Sequence, residues 1–283
     1  MTRPARIVDA HVHLWDPART DWYPYLAGQM DIGMGDTGGM ARRFDRSTYE
    51  AESSGWNVEK LVNVAAATGL HAIDETLAME EQGDADALIG GIAPAASVAD
   101  SVAQIDRQMA ATRFRGVRPM GRFAGPLPEA DVLRELAARR LVFEVLARPE
   151  QLEDAARGLA GHDDLVVVIE HTGWPQSGAD EERAAWRAGI SALAALGPNV
   201  HCKLSGLSAA AGSMDAARFA PWLEPALEAF GVERCFFASN FPVDGLHGSL
   251  DQLWQAFDQA TVALDGGSRD QLFAANAERL YRV

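Results

Sequence analysis

Two histidines separated by one residue, His11 and His13, close the first apolar run of the chain. In a β-strand, residues i and i+2 point to the same face, so the two imidazoles are expected to lie side by side. Two such nitrogens can ligate one metal ion, because metal–nitrogen distances of about 2 Å require close neighbours. A pair of hydrogen-bonded histidines that anchors a loop is the alternative interpretation of the same spacing.

A third histidine and a carboxylate occupy comparable positions farther along the chain. His171 follows an apolar run and precedes Thr172-Gly173-Trp174-Pro175, which places it at the rim of a strand or in a capped turn. Glu144 lies inside another apolar run, where a carboxylate is costly unless it is paired or bound to metal. For Glu144, a ligand or acid–base role and a buried ion pair with an arginine are both open.

Three cationic side chains are candidates for contact with a substrate. Arg118 closes the fourth apolar run, Arg122 follows it, and Lys203 lies within the seventh. Arginines suit the bidentate capture of a carboxylate or the polarisation of a carbonyl. Lys203 can contact a substrate only if its side chain faces the pocket and not the surrounding helices.

The eighth apolar run is followed by Ser239-Asn240-Phe241-Pro242. An amide cannot take a proton at neutral pH, so Asn240 is expected to hydrogen-bond a substrate or to ligate weakly through its oxygen. Asp244 follows four residues later and can approach the same point from the loop. The four other histidines, His71, His162, His201 and His247, receive no role.

The elements that must position these residues alternate regularly. Eight short apolar runs, bounded by turn residues, are typical of strands buried on both faces; they comprise residues 7–11, 61–65, 88–92, 114–118, 141–145, 165–169, 200–204 and 235–238. Amphipathic stretches that predict helices lie between and after them, at residues 98–111, 129–139, 150–159, 181–196, 215–230, 250–264 and 269–279. This alternation predicts an α/β fold, a (β/α)8 TIM barrel.

An open, doubly wound sheet is the alternative architecture, but no Gly-rich phosphate fingerprint follows any run. No linker divides the chain, so residues 1–283 are predicted to form a single domain. In such a barrel the active site lies at the C-terminal ends of the strands. The glycine-containing stretch 15–47 is predicted to be a long loop there, and it is expected, with Trp15 and Trp174, to shape the pocket.

Composition excludes several classes of protein. The formal net charge is −15, from 40 acidic and 25 basic residues, which argues against nucleic acid or an anionic membrane as a partner. Two cysteines, Cys202 and Cys235, rule out a disulfide framework and a Cys-rich zinc module. The sequence shows neither a secretory signal nor an apolar run long enough to cross a bilayer, so we expect a cytoplasmic protein. Whether the protein forms a homo-oligomer is left open.

The motifs resemble the amidohydrolase-related family, in particular its lactonase branch, which includes sugar-acid lactonases and 2-pyrone-4,6-dicarboxylate lactonases. The resemblance covers essentially the whole chain in order; it rests on Asp9-Ala10-His11-Val12-His13-Leu14-Trp15-Asp16-Pro17, Gly116-Val117-Arg118, Glu170-His171-Thr172-Gly173-Trp174-Pro175, Cys202-Lys203-Leu204-Ser205-Gly206-Leu207, Phe230-Gly231 to Val243, and Asn276-Ala277-Glu278-Arg279-Leu280-Tyr281.

The resemblance implies a barrel that hydrolyses a small cyclic ester, with an anionic or polyhydroxylated small molecule as substrate. It implies His11, His13 and His171 as ligands of a divalent ion, zinc or manganese, or as groups that polarise the substrate without metal; Glu144 is a further candidate ligand. The family pattern after the eighth strand is Ser-Asp-Trp-Pro, whose Asp activates water, whereas this chain has Asn240. The absence of this carboxylate is expected to leave any ion weakly held. One consequence is that Asp244, Glu144 or a histidine serves as the base; a different reaction and binding without turnover are the others.

Two other functions stay open because a shared fold does not determine the reaction. One is a lyase that decarboxylates or hydrates an unsaturated acid on the same barrel. The other is a small-molecule binder without catalysis, since the usual base is replaced by Asn240.

Overall fold

Eight parallel strands form one sheet in the order of the chain, in a computed structural model that describes residues 3–31, 35–93, 96–120 and 127–283. The strands are β1 Ile7–Val12, β2 Val58–Val64, β3 Ala87–Ile92, β4 Phe114–Pro119, β5 Val142–Val145, β6 Val167–Ile169, β7 Val200–Leu204 and β8 Cys235–Phe237. The predicted (β/α)8 barrel is therefore confirmed, and each strand overlaps one predicted apolar run. That residues 1–283 form a single domain stays a prediction.

The barrel closes where the segment after β8 meets β1. Val12 and Phe241 form a parallel bridge there. Asn240 N donates to His11 O at 2.8 Å, and His13 N donates to Phe241 O at 2.8 Å. The residues that complete the cylinder are therefore also those that carry candidate catalytic side chains.

Helices surround the sheet. They are α1 Arg46–Glu52, α2 His71–Gln82, α3 Val98–Gln108, α4 Ala130–Ala138, α5 Leu152–Leu159, α6 Asp180–Ala194, α7 Ser208–Ala211, α8 Ala216–Phe230, α9 Leu250–Ala260, α10 Gly266–Asp270 and α11 Asn276–Tyr281. A capping box begins α9, since Ser249 Oγ accepts from Gln252 N at 3.2 Å, while Gln252 Oε1 accepts from Ser249 N. This agrees with the predicted start of that helix.

The sequence did not predict α2. Its first turn has no side-chain cap, and its inward face carries the polar residues Glu75 and Thr76. Burial of the Glu75 carboxylate is tolerated because it accepts hydrogen bonds from Tyr23 Oη and from Ala66 N and Ala67 N. Polar residues on a buried face obscure the apolar period by which amphipathic helices are recognised.

The barrel interior is filled from below by the last helices. Ala274, Ala277, Leu280 and Tyr281 pack with inward-facing residues of the strands in one apolar cluster. Tyr281 is fully buried, so α11 and the preceding turn act as a plug under the cylinder.

The predicted long loop after β1 folds across the upper mouth. Trp15 and Phe44 pair through two main-chain hydrogen bonds of 2.9 Å, which ties the two ends of the loop together. Tyr25 Oη donates to Ala66 O at 3.0 Å and fixes the loop against the residues that follow β2. The loop therefore forms part of the wall above the strands.

Candidate active site

His11 and His13 lie side by side at the mouth, as the strand period predicted. Their Nε2 atoms are 3.2 Å apart, and His13 Nδ1 is 2.7 Å from Val64 O. Because a carbonyl only accepts, His13 Nδ1 carries the proton and its Nε2 accepts from His11 Nε2. His11 Nδ1 then accepts from Lys203 Nζ, 3.3 Å away. A hydrogen-bonded relay thus links β7, β1 and β2.

His171 reaches the same point from the turn after β6. Its ring centroid is 4.6 Å from that of His11, and its Nδ1 is 3.0 Å from Ser205 Oγ. His171 and Thr172 have φ values of 53° and 56°, a left-handed conformation that is uncommon for residues with a side chain. Trp186 Nε1 donates to Thr172 O at 2.6 Å and helps to hold this turn.

Gly206 allows His171 to occupy that position. A Cβ atom at residue 206 would lie 2.6 Å from His171 Cβ, and the glycine has a φ of +64°. Both the close approach and the positive φ require a residue without a side chain.

Two carboxylates and two cations lie beside the histidines; Glu144, Glu170 and Lys203 are fully buried, whereas the Arg118 side chain is 11% exposed. Lys203 Nζ lies 2.6 Å from Glu144 Oε2, and Tyr281 Oη donates to Glu144 Oε1 at 2.6 Å. Arg118 Nη1 lies 3.2 Å from Glu170 Oε2. Glu144 is therefore in a buried ion pair, as one of its two interpretations anticipated, but its partner is a lysine and not an arginine.

Burial controls the charge of these groups. It lowers the pKa of His11, His13 and His171 well below 6.5, and the positive charges of Lys203 and Arg118 lower it further. The three imidazoles are therefore neutral at pH 7. Burial also raises the pKa of Glu144, and the neighbouring Glu170 carboxylate adds to that effect while Lys203 opposes it.

Asn240 and Asp244 meet at the part of the mouth where the segment after β8 joins β1. Asn240 adopts a φ of 56°, and its Nδ2 donates to Asp244 Oδ1 at 2.9 Å. Asp244 Oδ2 is buried without a hydrogen bond of ordinary geometry within the described residues, although the Ser208 hydroxyl interacts with the carboxyl group. Burial raises the pKa of Asp244 to about 7, so the carboxyl group exchanges a proton near neutral pH.

These groups surround a cavity of about 410 Å³ at the C-terminal ends of the strands, a size typical of small-molecule sites. The predicted residues that line it are His13, Trp15, Arg118, His171, Trp174, Asn240 and Asp244. His247, which received no role, lines it as well.

The other predicted residues are placed differently. His11, Glu144 and Lys203 are fully buried beneath the cavity floor and do not line it. The prediction that Lys203 contacts a substrate is therefore not supported, because its ammonium group faces Glu144. Arg122 lies outside the described residues.

One group of side chains can hold a metal ion. Ligand atoms of His11, Glu170 and His171 all lie within 4.8 Å of one another. His13 Nε2 is 3.2 Å from His11 Nε2, close to the separation of two nitrogens that each lie about 2.0–2.1 Å from one tetrahedral zinc ion. Glu170 Oε1 is buried and accepts no hydrogen bond within the described chain. These residues fit a divalent cation, with Glu170 in the place where Glu144 was predicted.

Several contributing residues escaped the sequence analysis. Glu170 directly follows an apolar run, so the rule used for His171 was sufficient to find it. Asp9 accepts from Tyr49 Oη at 2.7 Å and from Ser239 N at 2.8 Å, which joins β1 to the segment after β8. Tyr281 belongs to a motif of the resemblance, but nothing in the sequence indicates its contact with Glu144, because that contact depends on α11 entering the barrel from below.

Together, the closed parallel barrel and the cluster of histidines and carboxylates at its C-terminal mouth define a barrel hydrolase. Comparison with known families agrees with this. A model of the amidohydrolase family matches residues 8–283, and the chain belongs to that family.

Individual relatives match along nearly the whole chain. An uncharacterised protein, y4mH, from Sinorhizobium fredii is 31% identical and covers 98% of both chains. An L-fucono-1,5-lactonase from Burkholderia multivorans is 29% identical over 98% of this chain and 96% of its own. A crystal structure of an amidohydrolase from B. multivorans with bound zinc is similar at a TM-score of 0.80, with 26% identity over 99% of this chain and 100% of that one.

The family membership confirms the predicted lactonase-related resemblance and a hydrolase of amidohydrolase type. Across the described ranges, none of the helices combines the length and the apolar character needed to span a bilayer. The cytoplasmic location, the absence of nucleic-acid binding and the oligomeric state stay predictions.

Proposed function

We propose that the protein hydrolyses the ester bond of a small lactone at the upper mouth of the barrel. The observation that carries this proposal is the Asp244 carboxyl group, which lines the same cavity as His13 and His171 and whose Oδ1 is held by the Asn240 amide. The lactonase relatives at 29% identity support the same reaction.

Asp244 is the proposed base in place of the missing carboxylate at residue 240. The Asn240 amide holds Oδ1, and Oδ2 accepts a proton from the attacking water. A pKa of about 7 suits this role, because a base is most effective when its pKa is near the working pH. As the ester C–O bond breaks, the same proton passes from Oδ2 to the ring oxygen, which leaves a hydroxy acid.

The carbonyl group of the substrate ester is bound on the side of the cavity that carries Arg118 and His171. Arg118 lines the cavity, and three of its N–H groups already donate to Glu170 and Ala65 O, which fixes its guanidinium in one orientation. An oriented cation beside His171 polarises the carbonyl oxygen and stabilises the negative charge that develops there.

A divalent ion, zinc or manganese, would be held by His11, His13, His171 and Glu170, and it would supply further polarisation and a more acidic water. We propose that such an ion is weakly held. Lys203 and Arg118 already balance the negative charges of Glu144 and Glu170. The positive charge of an added divalent ion is therefore not fully neutralised by nearby carboxylates. The ion also displaces the hydrogen bond between His11 and His13.

The test is acid release from a panel of lactones by the wild type and by Asp244→Asn. We expect Asp244→Asn to lose about 10²- to 10⁴-fold in kcat, the usual contribution of a general base. Asp163→Asn, an exposed carboxylate on the loop before β6, is the matched control and should retain full activity. Full activity of Asp244→Asn would contradict the assignment.

Two outcomes of the same assay would favour the alternative functions. Release of carbon dioxide from an unsaturated acid, without lactone hydrolysis, would favour a lyase. If the wild type binds lactones without hydrolysis and Asn240→Asp introduces turnover, the protein is a binder.

A further inference from the structure

Three polar side chains of the cavity wall already donate their hydrogen bonds within the protein. Trp15 Nε1 donates to Arg42 O at 3.1 Å, Tyr25 Oη to Ala66 O at 3.0 Å, and Thr68 Oγ1 to Trp22 O at 3.2 Å. These side chains therefore present their carbon surfaces to a bound molecule. A substrate hydroxyl that loses water against these three side chains gains no donor from them in exchange, and an unpaired buried hydroxyl weakens binding.

The described part of the wall also lacks an uncompensated positive charge. Among the lining residues that the structure describes, Arg118 is the one lysine or arginine, and Glu170 balances its charge at 3.2 Å. Arg148 lies against the Trp174 ring, 5.6 Å from its centre, and is not part of the lining. Asp244 adds a carboxylate to the wall, and the chain carries a net charge of −15. This environment disfavours an anionic substrate.

Apolar side chains make up much of the remaining surface. Met40, Met120, Leu146 and Val243 line the cavity from four different segments. Met30 extends this surface to the rim, where it is 41% exposed. Methionine side chains adapt to ligands of irregular shape, so this side of the cavity suits a hydrocarbon substituent.

We infer that the cavity takes uncharged lactones whose ring bears an alkyl or aryl substituent. This inference rests on the lactone hydrolysis proposed above. It differs from the anionic or polyhydroxylated substrate that the resemblance implied. In this arrangement the ester group faces Asp244 and His171, and the substituent packs against the methionines.

The experiment compares three δ-lactones with the same six-membered ring: one with a propyl group, glucono-1,5-lactone, and one with a carboxylate. Initial rates are measured with a pH indicator and corrected for spontaneous hydrolysis. We expect kcat/KM for the propyl lactone to exceed that of either polar lactone by about 10²-fold or more, since the polar groups are left unpaired. An equal or higher kcat/KM for either polar lactone would overturn the inference and leave the lactonase proposal intact.

A binding measurement separates the two proposals if no lactone is hydrolysed. The probes are a propyl-substituted δ-lactam and a polyhydroxylated δ-lactam, which keep the ring and resist hydrolysis, and their Kd values are measured by calorimetry. Tighter binding of the propyl lactam would support the cavity inference although the lactonase proposal had failed. Equal binding, or tighter binding of the polyhydroxylated lactam, would overturn the inference.

A matched pair of variants tests the apolar wall directly. Met120→Gln places an amide of similar size in the wall, whereas Met109→Gln changes an exposed methionine outside it. We expect Met120→Gln to reduce the preference for the propyl lactone over glucono-1,5-lactone by about tenfold, and Met109→Gln to leave it unchanged. A loss of stability alone would lower both rates equally, so an unchanged preference in Met120→Gln counts against the inference.

Discussion

Replacement of Lys203 by methionine tests the buried charge network under the histidines. Lys203 and Glu144 are both fully buried, with Nζ 2.6 Å from Oε2. The variant leaves Glu144 and Glu170 in the same interior with one cation fewer. Removal of one partner of a buried pair costs about 3–5 kcal/mol, which lowers the urea midpoint by about 1–2 M.

The assay is equilibrium unfolding in urea, followed by tryptophan fluorescence. The control is Lys60→Met, which removes the other lysine of the chain; Lys60 is half-exposed and 3.4 Å from Asp86. An exposed pair contributes about 0–1 kcal/mol, so this control should unfold near the wild-type midpoint. The double variant Glu144→Leu/Lys203→Met removes both charges and should recover much of the lost free energy of unfolding.

The pH dependence of this deficit has a defined sign. Burial raises the folded-state pKa of Glu144 above its usual 4.5. The stability linked to its proton is therefore complete below pH 4.5 and is lost as the pH rises through the folded-state pKa. Without Lys203 that pKa rises further, so the deficit of Lys203→Met should be larger at pH 8 than at pH 5.5. A deficit below 1 kcal/mol, or one that is larger at pH 5.5, would refute this account of the network.

Three further outcomes are expected. Gly206→Ala should abolish most activity and destabilise the fold by about 1–3 kcal/mol, because its Cβ would collide with His171. The control is Gly212→Ala, at a similar φ of +66° with open space around it. This control should lose only the stability that corresponds to the backbone strain. The kcat/KM for lactone hydrolysis should fall tenfold per pH unit below the pKa of about 7 of Asp244 and level off above it; a flat profile would exclude Asp244 as the base. Treatment with a chelator should lower kcat, and added zinc or manganese should restore it, with less metal retained by His11→Ala in elemental analysis; wild-type metal content in that variant would contradict the proposed ligands.

The sequence predicts the scaffold well because each strand of a parallel barrel is buried on both faces and appears as a short apolar run. The same logic locates His11, His13 and His171, since each follows a run at the end where a barrel places its site. What the sequence cannot supply is the pairing between distant elements. The contact of Lys203 with Glu144, and the hydrogen bond between Asn240 and Asp244, depend on which side chains meet once the cylinder has closed.

Substrate preference is also a property of the folded wall. Trp15, Tyr25 and Thr68 carry polar atoms, and the sequence does not show where those atoms point. In the structure their donors are directed to main-chain carbonyls. Similarly, two roles were predicted for Arg118, capture of a substrate carboxylate or polarisation of a carbonyl, and only the structure shows that Glu170 already occupies the position of a carboxylate partner.

The phenol of Tyr281 connects the two ends of the barrel. In this fold, substitutions at the lower face are usually judged by their effect on stability and those at the upper face by their effect on chemistry. Here a side chain that enters from the lower end donates to Glu144 at 2.6 Å, and Glu144 holds Lys203 beside His11. Engineering of the lower helices for thermal robustness will therefore act on the reaction chemistry as well, and the two properties cannot be tuned separately at that position.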